Sequence, residues 1–174
     1  SKLARAIAGH RMTAADAKDL DRALSAGYGV VALSDPDYPP LLREIADPPA
    51  LLFVSGSLAG AAPAVAVVGS RHPTDYGTRT TWRLSRDLAM HGFTVVSGLA
   101  RGIDTAAHEG ALDGDGRTVA VLGSGLDRIY PGENRNLAER IAAAGAVVSE
   151  FAPDADPEAH HFPIRNRIIS GMCL

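Results

Sequence analysis

The stretch SGLARGIDTAAHEGAL, residues 97 to 112, sets Ser97, Gly98, Arg101 and Gly102 between an apolar strand and an Ala-rich helix. A turn of this kind leaves backbone N–H groups unpaired at the positive end of a helix dipole. Glycine lets the chain come close to a ligand, and the arginine adds a full charge. The chemistry these residue types offer is anion binding, with phosphate the foremost candidate. An ordinary connection from strand to helix also uses glycine simply to turn. Here, however, two further turns of the same make occur. AVAVVGSRHPTDYG (64–77) closes a Val-rich strand with Gly69, Ser70 and Arg71, and TVAVLGSGLDRIYPGEN (118–134) breaks at Gly123 and Gly125 and reaches Asn134 at the start of a helix. Turns leaving the carboxyl ends of parallel strands open onto one rim, where ligands bind in open α/β sheets.

HHFPIRNRIISG (160–171) adds Phe162 ahead of Pro163, then Arg165, Asn166 and Arg167 in what reads as the first turn of a helix. Cations are disfavoured at a helix N-terminus, so these arginines call for an anion or for an acidic partner such as Asp104, Asp127 or Glu150. An aromatic ring beside a phosphate-binding rim suits a single-stranded nucleic acid, because an unpaired base stacks on it for roughly 1–3 kcal/mol. Lys2 and Lys18 are the only lysines, and the other basic residues are arginine, whose planar fork grips phosphate in two places. A coding sequence rich in G and C accounts for the number of arginines; the placement of Arg71, Arg101, Arg165 and Arg167 is what carries weight. With a net charge of −3, the chain does not coat nucleic acid through overall positive potential, and its anion site must be local.

Other chemistries fit less well. A dinucleotide fingerprint wants G-x-G-x-x-G at the first turn and an acid closing the second strand. The first turn instead reads GSRHPT, the second strand ends in Ser97-Gly98, and GSGLDR (123–128) puts Arg128 where the third glycine belongs. The phosphate loop G-x-x-x-x-G-K-[ST] does not occur. Asp104 and His108 stand four apart and resemble an acid–base pair, yet Asp104 reads as a helix cap and His108 as a partly buried residue of the helix face. His160 and His161 find no cysteine or further histidine at ligand spacing. Ser70, Ser97 and Ser124 lack the G-x-S-x-G elbow. The expectation is a binding protein without catalytic residues, cofactor or metal.

The elements that must position these residues follow from periodicity and punctuation. Residues 1 to 28 form a short helical appendage, with Thr13 as N-cap and Gly27 as stop. Strands Val30 to Leu33 and Leu51 to Val54 flank a Pro-rich stretch holding a brief LLREI turn, and extend the main sheet or cover its edge. The regular pattern then runs strand, helix 76–90, strand 94–97, helix 103–111, strand 118–122, helix 134–144, strand 146–149. The fold class is α/β, a parallel sheet flanked by helices. A length of 174 residues with 46% hydrophobic content suffices for one such core. No apolar run approaches membrane-spanning length, no cleavable signal pattern opens the chain, and Cys173 is the single cysteine, so the expected compartment is the cytoplasm.

GSR at 69–71 with YG at 76–77, SGLARGID at 97–104 with AH at 107–108, LGSGLD at 122–127, YPGEN at 130–134, SEF at 149–151 and FPIRNRIISG at 162–171 together resemble the DprA (Smf) family. DPDYPPLLREIADPPALLFVSG upstream continues the likeness, which covers residues from about 28 onward in consistent order. The resemblance implies an extended Rossmann-like domain over residues 29 to 174 that binds single-stranded DNA during natural transformation (competence), protects it and helps load the recombinase RecA. It implies roles for Arg71 on phosphate, for Ser97, Gly98 and Gly102 through backbone N–H groups, and for Phe162 in base stacking. Gly69, Ser70, Arg101, Gly123, Asn134, Arg165 and Asn166 complete the expected DNA-binding set. Two departures stand out: Ala159, His160 and His161 occupy a stretch where many relatives carry a lysine, and relatives continue past Leu174 through further strands and often a winged helix. That missing C-terminal part holds most of the family's dimer and recombinase contacts, and the full-length protein is expected to form a homodimer. Phosphoribohydrolases with a Rossmann-like core are the enzymatic alternative, but their P-G-G-x-G-T-x-x-E motif is absent.

Overall fold

The computed structural model describes residues 14–174; the expected cap at Thr13 lies outside them. Six strands form one sheet in the order β1-β2-β6-β5-β4-β3, comprising β1 (Gly29–Ala32), β2 (Leu51–Gly56), β3 (Ala64–Ala66), β4 (Thr94–Ser97), β5 (Thr118–Val121) and β6 (Ala146–Ser149). The four strands β3 to β6 pair in parallel, each following the previous one through a helix: α3 (Asp75–Met90), α4 (Ile103–Asp113) and α5 (Arg135–Ala144). Every residue of β4, β5 and β6 is buried, which is why these strands read as unbroken Val/Ala/Thr/Ser runs rather than alternating ones.

The sheet is mixed rather than wholly parallel. β1 and β2 pair antiparallel, and β2 pairs antiparallel with β6, Phe53 opposite Ser149. The connection explains the direction of β2. Residues 57 to 63 link β2 to β3 at the far edge, and so short a segment reaches only if β2 ends at the edge where β3 begins; a parallel β2 would need a crossover of a dozen or more residues. Ser57 holds the link on that edge, its N–H donating to the Gly145 carbonyl and its own carbonyl accepting from Arg117 Nη1.

Helices cover both faces. One face packs Val54, Val96, Val121 and Val148 against Tyr38, Leu42, Ile168 and Ile169, bringing in the short helix α2 (Pro40–Arg43) and the last helix, α6 (His161–Gly171). The other packs Phe53, Ala120 and Val147 against Leu137 and Ile141 of α5 and Leu20 and Ala23 of α1 (Ala14–Ser25). Val95 meets Ala89, Ala107 and Ala111, where small residues let α3 and α4 lie close. Gly27 ends α1 as expected, its N–H donating to the Leu24 carbonyl. Arg22 then clamps α1 to the loops after β5 and β6, through Asp127 and Asp154 at 2.9 Å each.

One boundary differs in a way that matters. α6 begins at His161, so Arg165 to Arg167 occupy its second turn, not its first. Pro163 is tolerated because the first N–H groups of a helix have no acceptor within it. A full turn then separates Phe162, at the rim, from Arg165, which is carried under it.

Candidate functional site

The turns after β3, β4 and β5 meet at the carboxyl edge of the sheet, and the start of α6 crosses them. An open groove of about 570 Å³ lies there, lined by Gly69 and Arg71 from the first turn, Ala100 and Asp104 from the second, Tyr130 from the third, and Phe162, Arg165 and Asn166 of α6. Thr74 starts α3 by accepting from the Gly77 N–H at 3.1 Å, fixing the exit of the GSR turn. Arg71 is exposed, and its guanidinium lies 5.3 Å from the centre of the Phe162 ring. Tyr130, also exposed, packs at 5.8 Å from Phe162 with the rings tilted by 52°. Gly123 is the floor under Phe162, since a Cβ there would stand 2.8 Å from the ring. Groove and rim together offer an exposed cation and two aromatic rings.

Beneath this surface the arrangement departs from the sequence-based expectation. The N–H groups of Gly98 and Ala100 are not free; both donate to Asp104 Oδ2, at 3.1 and 3.4 Å. A carboxylate in the first turn of α4 therefore takes the place expected for a bound anion, and it is held there by the same amides and dipole. Burial pushes the Asp104 carboxyl above its ordinary range, opposed by the Arg165 charge and the backbone N–H groups of Ala100, Gly98 and Gly69. Arg165 is buried, 4% exposed. Its Nη1 donates to the carbonyls of Gly98, at 2.8 Å, and Val121, and burial lowers its pKa to about 10 despite Asp104. Gly98 is glycine because a Cβ would collide with that guanidinium. Close approach at Gly98 thus serves the protein's own arginine.

The remaining expected residues divide between surface and support. Gly69, Ser70, Arg71, Arg101 and Asn166 are exposed. Ser70 Oγ accepts from the His72 N–H, and Asn166 Oδ1 accepts from Arg165 Nε. Arg101 is engaged by Glu133 through two bonds, 2.6 and 2.9 Å, which offsets its charge. Ser97 is fully buried, with no hydrogen-bond partner for its hydroxyl. Asn134 is buried too: its Nδ2 donates to the Leu99 carbonyl at 2.9 Å and to Thr105 Oγ1 at 3.0 Å. Leu99 needs that restraint, being a buried non-glycine residue with φ of 58°. Gly102 has φ of 79°, and a Cβ there would come within 2.4 Å of the Ser70 carbonyl, so the first and second turns abut directly.

Tyr130 and Asp104 line the groove; Tyr130 is not assigned to it from the sequence, and Asp104 reads there only as a helix cap or as an acidic partner of the α6 arginines. Tyr130 carried a signal, an aromatic within YPGEN beside the third turn. Of the three acids weighed as partners for α6, Glu150 meets Arg167 in a two-pronged contact with both bonds at 2.6 Å, whereas Asp127 bonds Arg22 and the Tyr28 hydroxyl. His108 lies in the core, its Nδ1 2.7 Å from Thr118 Oγ1, and does not line the groove.

An open α/β sheet whose carboxyl edge bears a groove lined by Arg71, Tyr130 and Phe162, above the buried Arg165 and Asp104, defines a Rossmann-like domain. The family described as DNA recombination-mediator protein A matches residues 29–174, and the chain belongs to that family, the DprA (Smf) proteins. It is 52% identical to Protein Smf of Synechocystis over 143 residues, 79% of this chain and 36% of the relative. It is 46% identical to the DNA processing protein DprA of Streptococcus pneumoniae, across 82% of this chain and 50% of the relative. The crystal structure of the Streptococcus pneumoniae protein superposes with a TM-score of 0.80 at 43% identity, covering 88% of this chain and 55% of that one. A structure of DNA processing protein A from Helicobacter pylori, described for its single-stranded DNA binding mode, gives a TM-score of 0.75 at 32% identity over 84% of this chain and 66% of that one. The chain therefore spans between about a third and a half of the curated relatives named here. Among the described residues no helix is long and apolar enough to cross a membrane.

Proposed function

We propose that residues 29 to 174 bind single-stranded DNA in the groove between Arg71 and Phe162. Arg71 contacts a phosphate, Phe162 and Tyr130 stack unpaired bases, and Asn166 and Ser70 add hydrogen bonds at the rim. The observation that carries this reading is the pairing of an exposed guanidinium with an aromatic ring 5.3 Å away at the mouth of an open groove, the combination that sequence-tolerant single-strand binding uses. The Helicobacter pylori relative, described as binding single-stranded DNA, shares the fold. Gly98, Gly102, Gly123, Ser97, Asn134 and Arg165 act by shaping that groove, and Arg101 contributes less because Glu133 neutralises it.

The protein works by holding the strand rather than by turning it over. Asp104, the acid that lines the groove, is committed to two backbone amides, and His108 faces Thr118 in the core. On this reading the protein serves DNA processing in transformation, protects the strand, delivers it to the RecA recombinase and pairs with a second copy. Fluorescence anisotropy with labelled oligo-dT and a matched duplex tests the reading. The single strand binds more tightly, and the logarithm of the affinity falls with the logarithm of salt at about −0.7 per phosphate engaged, only a few phosphates being involved. Equal affinity for duplex, or no salt dependence, refutes it.

A further inference from the structure

The loop from β6 to α6 and the first residue of α6 carry three side chains that the phosphate reading does not use. Glu158, His160 and His161 each offer one ligand atom, and these atoms lie within 4.8 Å of one another. His160 Nδ1 stands 3.4 Å from Glu158 Oε2, and the two imidazole rings meet edge-on with centres 4.4 Å apart. His161 is fixed in orientation, since its ring stacks on Phe151 at 4.0 Å and 22°. Its Nδ1 is shut off from solvent and has no hydrogen-bond partner. A polar nitrogen withdrawn from water without a partner calls for an explanation, and a ligand is one.

We propose that Glu158, His160 and His161 form a three-ligand site for a zinc-class divalent cation at the lip of the groove. Two imidazoles and one carboxylate make a borderline donor set, suited to zinc and its neighbours and poorly matched to magnesium or calcium, which take oxygen ligands. Glu158 supplies the negative charge that a cation near the positive start of α6 requires. Glu158 and His160 are exposed, at 60% and 65% for the side chains, and so are free to close the remaining distance around an ion while His161 stays anchored by its stack. Three protein ligands leave the fourth position of a tetrahedral ion open. Pro157, Ala159 and Phe162, which alternate with or adjoin the ligands, line the groove, so the site shares its backbone segment with the groove wall. The site stands independently of the nucleic-acid reading.

The test is a titration of the tag-free, metal-stripped protein with cobalt(II), without nucleic acid, read by the visible bands of four-coordinate cobalt and by their loss on adding zinc. One equivalent binds. His160→Ala and His161→Phe each weaken binding at least about tenfold, the latter keeping an aromatic ring on Phe151. His91→Ala, at the C-cap of α3, leaves binding unchanged. Absence of the bands with one equivalent of cobalt on folded protein overturns the proposal, as does undiminished binding by His160→Ala and His161→Phe.

Discussion

Arg71, in a glycine turn, and Arg165, in FPIRNR, both read from the sequence as candidate phosphate contacts, yet their surroundings give them opposite work. Arg71 is exposed and can follow a flexible phosphate; Arg165 is buried and already bonded to the Gly98 and Val121 carbonyls. Arg71→Ala should weaken oligo-dT binding whatever the base sequence and lower the salt slope by about one phosphate's share, ~0.7, while stability changes by no more than about 0.5 kcal/mol. Arg101→Ala should lose less affinity, because Glu133 pairs with Arg101; parallel anisotropy titrations of the two variants check the ranking. His108 makes a separate prediction. Burial, with the Arg165 charge behind it, lowers its pKa from 6.5 to about 3, so the unfolded chain takes up a proton that the folded protein refuses. The stabilisation is fully present above pH 6.5 and is lost as the pH falls toward 3, with a limiting slope of about 1.4 kcal/mol per pH unit. Melting temperatures from pH 7 to 4 should fall more steeply for the parent than for His108→Gln.

At the scale of elements, the turns are braced by groups that arrive from elsewhere. Asp104 from α4 closes the Gly98 and Ala100 amides, Arg165 from α6 reaches the carbonyls of Gly98 and Val121, and Asn134 holds Leu99 in its left-handed conformation. Arg165→Met, which removes the donor to the buried Gly98 and Val121 carbonyls, should cost about 1–3 kcal/mol. Asn134→Ala, which strands the Leu99 carbonyl, should cost about 1–3 kcal/mol and also weaken single-strand binding. Urea unfolding midpoints measure both, and an Asn134→Ala variant of parental stability would remove the bracing role. The elements themselves were legible: the Val-rich runs at 94–97 and 146–149 are bounded by glycine and turn residues, and the strands fall on those residues. The amide pairing at Gly98 was not, because the same Gly-rich pattern arises whether the partner is a ligand or a carboxylate six residues on. Nor was the second-turn position of Arg165, since Pro163 reads as a boundary although the first turn of a helix accepts it.

For the molecule as a whole, a net charge of −3 means that in the proposed mode attraction to DNA is confined to one lip of the sheet and fades within a Debye length, about 10 Å at 0.1 M salt. The three parallel βα units and the opposing α6 concentrate cation, ring and groove at that lip, and the antiparallel β1 and β2 widen the sheet on the side remote from β3. This geometry favours a strand with unstacked bases, because a duplex keeps its base faces from Phe162 and Tyr130. The α/β class and the rim location were readable from three Gly-rich turns. The direction of β2 depends on the link at 57–63 crossing one edge of the sheet, a relation between distant strands that local patterning does not carry. Photo-crosslinking with a single-stranded oligonucleotide containing 5-iodouracil, followed by peptide mapping, tests the placement most directly. Adducts on Phe162 or Tyr130, diminished in Arg71→Ala, are the predicted result; adducts confined to the exposed face of α3, or unchanged by Arg71→Ala, would contradict it.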